Sequence, residues 1–205
     1  METIIYRGLE IRIFNDNDED AGNPRTEFDN AGAMMCLHSR YDLGDEDARQ
    51  TLTEYCQSRG SDVDEYSPPL MLEAAARKLG VLYLPVYMYD HSGLSISTAP
   101  FSCPWDSGQL GIIYITPEKI SEEWPNDHDP EDVLACLKDE VEQYNDYISG
   151  DCYGFEIREV AGSDDLPIDS CYGYYGADHR KSGLLGMAEC FIDAKLRTDN
   201  QSAEG

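Results

Sequence analysis

Two turns inside one apolar stretch gather the side chains with the most chemistry to offer. Asp90-His91-Ser92-Gly93 and Cys103-Pro104-Trp105-Asp106-Ser107-Gly108 bring a thiol, an imidazole, carboxylates and hydroxyls within twenty residues. Cys103 as nucleophile, His91 as base and Asp106 or Asp90 as orienter would make a thiol triad. The acidic surroundings oppose it, because nearby carboxylates disfavour a thiolate. The same residues are also ordinary turn formers: Asp and Ser accept backbone hydrogen bonds, Gly supplies positive φ, and Trp105 and Phe101 are expected to plug the core.

A second constellation is NDNDED. Asp16, Asp18 and Asp20 stand at positions 1, 3 and 5 of a calcium loop, with Glu27 at position 12. The match stops there. Ala21 replaces the required glycine, Asn23 takes the usually apolar eighth position, Pro24 follows, and a strand precedes the loop where a helix belongs. A solvated acidic turn is the reading. His38, His91, His128 and His179 show no HxH or HxxxH spacing and no CxxC occurs, so no zinc motif is present. GxGxxG and GxxxxGK[ST] are absent too, which disfavours nucleotide chemistry. No cofactor is expected.

The third feature is charge. Forty-one Asp and Glu against 15 Lys and Arg give −26, and residues 118–169 alone hold 17 acids and three bases. A helix is expected over 130–149, with Asp132, Asp139, Glu142 and Asp146 nearly opposite its apolar face; Glu131, Glu122 and Glu123 extend the acidic surface. At ~1.5 Å rise per residue, Asp139 to Glu142 advances ~4.5 Å and Glu142 to Asp146 ~6 Å, intervals close to phosphate spacings on a nucleic-acid strand. Such a surface repels nucleic acid and anionic lipid and attracts basic proteins. A solvated helix face, and adaptation to high salt, are the plain alternatives.

The elements that must position these groups centre on residues 81–116. Three strands are expected there, Val81–Tyr89, Leu94–Thr98 and Leu110–Thr116. Upstream come a strand or hairpin bent at Gly8 (3–14), a polar loop, a strand at 34–41, a helix over Asp45–Arg59, and a short helix begun by Ser67-Pro68, carried by Leu70, Leu72, Ala75, Ala76 and Leu79 and ended by Gly80. Downstream, a helical turn at Pro117–Trp124 precedes the long helix, which Asp129 caps and Pro130 opens. A strand at 152–160, a Gly- and Tyr-rich segment at 170–176 and a helix over Ser182–Arg197 follow.

The whole reads as a single α+β domain over residues 1–197, its mixed or largely antiparallel sheet packed by three to four helices, with a disordered tail at 198–205. Seven scattered cysteines suit reduced thiols, and no apolar run reaches spanning length, so the expectation is a cytoplasmic protein in no membrane.

YMYDHSG followed by STAPFSCPWDSGQLG resembles an uncharacterised family of acidic phage and mobile-element proteins. The likeness extends to IYRGLEIRIF, DNAGAMMCLHSRYDLGD and DSCYGYYG. It implies a setting and no activity. Small acidic proteins of mobile elements often counter host defences, some as DNA mimics. The expectation is therefore a non-enzymatic inhibitor or decoy of a basic nucleic-acid-binding host protein, of anti-restriction or anti-CRISPR type, with the 130–149 stripe as its surface. The rivals are an intracellular enzyme using Cys103 and His91, and an accessory phage protein whose acidity serves solubility alone.

Overall fold

A computed structural model describes residues 1–16, 22–126, 129–160 and 166–203. In chain order its elements are β1 (Glu2–Tyr6), β2 (Leu9–Asn15), α1 (Pro24–Glu27), β3 (Ala33–Cys36), α2 (Ala48–Ser58), α3 (Pro69–Lys78), β4 (Leu82–Asp90), β5 (Leu94–Ser97), β6 (Ser107–Ile115), α4 (Pro117–Glu123), α5 (Pro130–Ser149), β7 (Cys152–Glu159), β8 (Asp169–Tyr175) and α6 (Leu184–Ala203). The α+β class and the antiparallel pairing are as expected. The strands, however, form two four-stranded sheets instead of one, in the orders β1-β2-β7-β8 and β3-β6-β4-β5. The chain divides into two compact units, Met1–Gly22 with Asp146–Gly205, and Asn23–Asn145.

In the first unit, Arg7 (φ 47°) and Gly8 (φ 84°) both take the left-handed conformation that a two-residue hairpin demands, closing β1 on β2. Strict alternation in β2 buries Leu9, Ile11 and Ile13, while β7 contributes Phe155 and Ile157. Leu184, Leu185, Ala188 and Ile192 of α6 recur at helical spacing and pack on them. Each fully buried Ile or Leu contributes ~1.5–3 kcal/mol. The Gly- and Tyr-rich segment is a true edge strand, β8. The expected tail is helix as far as Ala203: nothing breaks it after Arg197, and Lys195–Asp199 (3.4 Å) and Thr198 Oγ1 to the Ala194 carbonyl (3.1 Å) tie the last turns down.

In the second unit the central strand β6 is almost wholly apolar from Leu110 to Ile115, as a strand covered on both faces must be. Ile112, Tyr114 and Met35 meet Ala48, Leu52 and Cys56 of α2 and Leu72 and Ala76 of α3. Ile113 faces the other way, where Leu137 of α5 stands beside it over Gly32. Pro85 sits within β4 because β5 pairs only with Tyr87–Asp90, leaving that edge open where the missing N–H would otherwise be needed.

Two details depart from expectation. Pro68 caps α3 and Pro69 begins it, since Ser67 is held back by Asp64, whose N–H donates to Ser67 Oγ at 2.9 Å. Trp105, expected in the core, is 92% exposed, and Leu70 in the first turn of α3 is 74% exposed. No helix among the described residues is long and apolar enough to cross a membrane.

Candidate functional site

The thiol, imidazole and carboxylate of the two turns do converge, but on the carboxylate. Asp106 Oδ2 accepts from Cys103 Sγ at 3.5 Å and lies 3.2 Å from His91 Nδ1. Among the described residues no hydrogen bond joins Cys103 to His91, so the imidazole is not placed as the thiol's base. Asp90 does not orient His91 either: its Oδ2 takes Arg40 at 3.0 Å and the Tyr41 hydroxyl at 2.9 Å. His91 stacks on Tyr89, and its side chain is 63% exposed. Arg40, Asp90, Trp105 and Asp106 line a shallow hollow of about 340 Å³ with His38.

The carboxylates of α5 do not form one uniform stripe. Asp132 and Asp139 are exposed, as are Glu131 and Glu122. Glu142 is half-buried and holds Lys138 at 3.1 Å, while Glu123 holds Lys119 at 2.6 Å. Asp146, half-buried, lies so close to Gly176 (φ +99°) that a Cβ there would come within 2.9 Å of its Oδ2. It belongs to the first compact unit, whereas Asp132, Asp139 and Glu142 belong to the second. Acidity is shared between the units: 18 acids and seven bases, a net −11, in the first, and 23 and eight, a net −15, in the second.

Of the calcium-loop candidates, Asp18 and Asp20 lie outside the described residues, as does His128. Glu27 closes the short helix α1, and Asp16 donates its N–H to the Cys152 carbonyl at 2.7 Å. Among the described residues no three His, Cys, Asp or Glu side chains are grouped to hold a metal.

The most densely bonded buried side chain among the described residues belongs to an assembly that spacing does not announce. Asn23 caps α1, accepting the Arg25 N–H at 2.9 Å, and Pro24 opens the helix. That places the Arg25 side chain, only 2% exposed, between two carboxylates. Its Nε and Nη2 donate to Asp45 Oδ1 and Oδ2 at 2.9 and 2.7 Å, Nη1 to Glu140 Oε2 at 2.8 Å, and Nη2 also to the Gly32 carbonyl at 2.6 Å. The carboxylates are satisfied in turn: Met34 N–H donates to Asp45 at 2.7 Å, and Ala31 and Gly32 donate to Glu140 at 2.8 and 3.2 Å.

Burial works against the guanidinium's charge, but Asp45 and Glu140 outweigh it and hold the Arg25 pKa above its ordinary value. Beside them, burial and then the Asp45 charge push the Cys36 thiol up to about 12, against the opposing pull of Arg25. The one sequence signal was Glu140 itself. At seven residues from Val133 and three from Leu137, it interrupts the buried face of α5.

Above this network a cleft of about 700 Å³ opens within the second unit, lined by Arg25, Phe28, Asp42, Glu46, Asp47 and Lys119 among others. Two glycines of its lining are packed tightly from behind: a Cβ at Gly32 would collide with Leu137, and one at Gly44 (φ +77°) would press on the Met34 carbonyl at 2.5 Å. Comparison with protein-family models, with curated proteins and with solved structures gave no match.

Proposed function

We propose that the chain is a non-enzymatic acidic protein that binds a basic, nucleic-acid-binding host protein and keeps it from nucleic acid. The observation that supports this reading is local pairing. On α4 and α5 both lysines are already neutralised, Lys119 by Glu123 and Lys138 by Glu142. Glu131, Asp132 and Asp139 are exposed and have no basic partner among the described residues, and Glu122 is exposed beside a Lys119 already paired with Glu123. The uncompensated charge is available to an external cationic surface, and its attraction falls with added salt. The resemblance to acidic phage and mobile-element proteins supplies the setting, a host defence protein of restriction or CRISPR type.

The experiment is capture of proteins from a nuclease-treated bacterial lysate on the immobilised chain, beside its E131K/D132K/D139K variant. The expected result is retention of nucleic-acid-binding proteins at low salt, their release as salt is raised, and their loss from the variant. Undiminished retention by the variant contradicts the proposal.

A further inference from the structure

The cleft over the Arg25 network is a binding site in its own right, apart from the α4–α5 surface, and we infer that it takes an organic cation, an alkyl chain ending in an ammonium or guanidinium group. The cavity comes first in the argument. Its volume of about 700 Å³ falls in the range of small-molecule sites, and the polar groups beneath it are already satisfied, since buried Arg25 and half-buried Asp45 and Glu140 are bonded to one another or to backbone. A floor so satisfied offers a ligand shape but no spare donor.

Charge then selects the class. The lining's two cations are spent, Arg25 on Asp45 and Glu140, Lys119 on Glu123. Asp42, Glu46 and Asp47 are exposed there, with no basic partner among the described residues. Asp47 holds the N-cap position of α2, yet its side chain makes no cap hydrogen bond. The buried network adds one more negative charge, two carboxylates against one guanidinium. A metal ion does not fit, because no three ligating side chains are grouped among the described residues. An extended organic cation does: the cleft has room for its stem, and the exposed carboxylates of Asp42, Glu46 and Asp47 take its charge.

Two sources carry this chemistry, a free polyamine and the arginine or lysine side chain of a bound protein. Titration calorimetry on the full chain separates them, with spermidine and a blocked tri-arginine peptide as probes and diacetylated spermidine as the control. The inference expects at least one cationic probe to bind, the acetylated control to be weaker, and D42N/E46Q/D47N to weaken binding roughly tenfold, three exposed charge contacts each contributing modestly. Binding of spermidine alone assigns a free polyamine; binding of the peptide alone assigns a protein side chain. D132N/D139N, on the other surface, leaves the affinity unchanged if the cleft is the site. The inference is overturned if neither probe binds, if the two sets of substitutions weaken binding equally, or if the acetylated control binds as well. None of these outcomes depends on lysate capture, so this inference and the decoy proposal fail separately.

Discussion

Asp106 and the pair Asp45–Glu140 set the same chemical motif in two different environments of one compact unit. Asp106 lies between a thiol and an imidazole, with side-chain exposures of 63% for His91 and 37% for Asp106. Asp45 and Glu140 grip a guanidinium that is 2% exposed, and backbone N–H groups complete their shells. At the surface, water competes for every partner and the pair contributes little. In the interior no substitute exists, so removing one member strands the others. Residues that look reactive in the sequence thus sit where contacts are weak, whereas an arginine that looks incidental organises the fold.

The comparison breaks most visibly at Arg25. Arg25→Met leaves two half-buried carboxylates without their cation and should cost about 3 kcal/mol, the lower end for a broken buried pair, read from urea unfolding. Glu140→Gln keeps an oxygen for the Ala31 and Gly32 N–H groups but loses the charge, so a smaller loss of ~1–3 kcal/mol is expected. A loss at Arg25 no larger than at the surface would erase the distinction.

The pH dependence sharpens it. The Cys36 thiol is raised from an ordinary 9.0 to about 12, so the folded state holds that proton more tightly than the unfolded chain does. Its contribution to stability is complete below pH 9 and is lost as pH rises through about 12. Unfolding midpoints measured across that window should fall, and Cys36→Ala should flatten the decline. An unchanged slope in the variant means the thiol's surroundings are not as described.

The smallest effect belongs to the surface cluster. His91→Ala should cost at most ~1 kcal/mol and leave the rate of Cys103 alkylation by iodoacetamide unchanged. Slower alkylation in the variant shows that the imidazole activates the thiol, and revives the enzymatic reading.

Local rules made much of this legible. The Gly8 hairpin, the Gly60 stop after α2 and the apolar face of α5 (Val133, Leu137, Val141, Tyr144) each follow from a handful of neighbours. What depended on distant partners was not. Arg25 and its carboxylates are 20 and 115 residues apart, and nothing in the polar loop around Arg25 points to either. β2 and β7 join the two ends of the chain into a second sheet, which a left-to-right reading folds into the first. Residue type alone points Trp105 to the core; its turn leaves it at the surface. Helical period gives the direction of the α5 acids but not Lys138 on Glu142 or Gly176 against Asp146.

The central claim is that this acidic surface takes the place of nucleic acid on a basic partner. The most direct measurement is competition: a captured partner is bound to a labelled duplex and titrated with the intact chain and with E131K/D132K/D139K. The account predicts that the chain displaces the duplex, that the variant does so far less well, and that salt weakens the displacement. A ternary complex of partner, duplex and chain contradicts it.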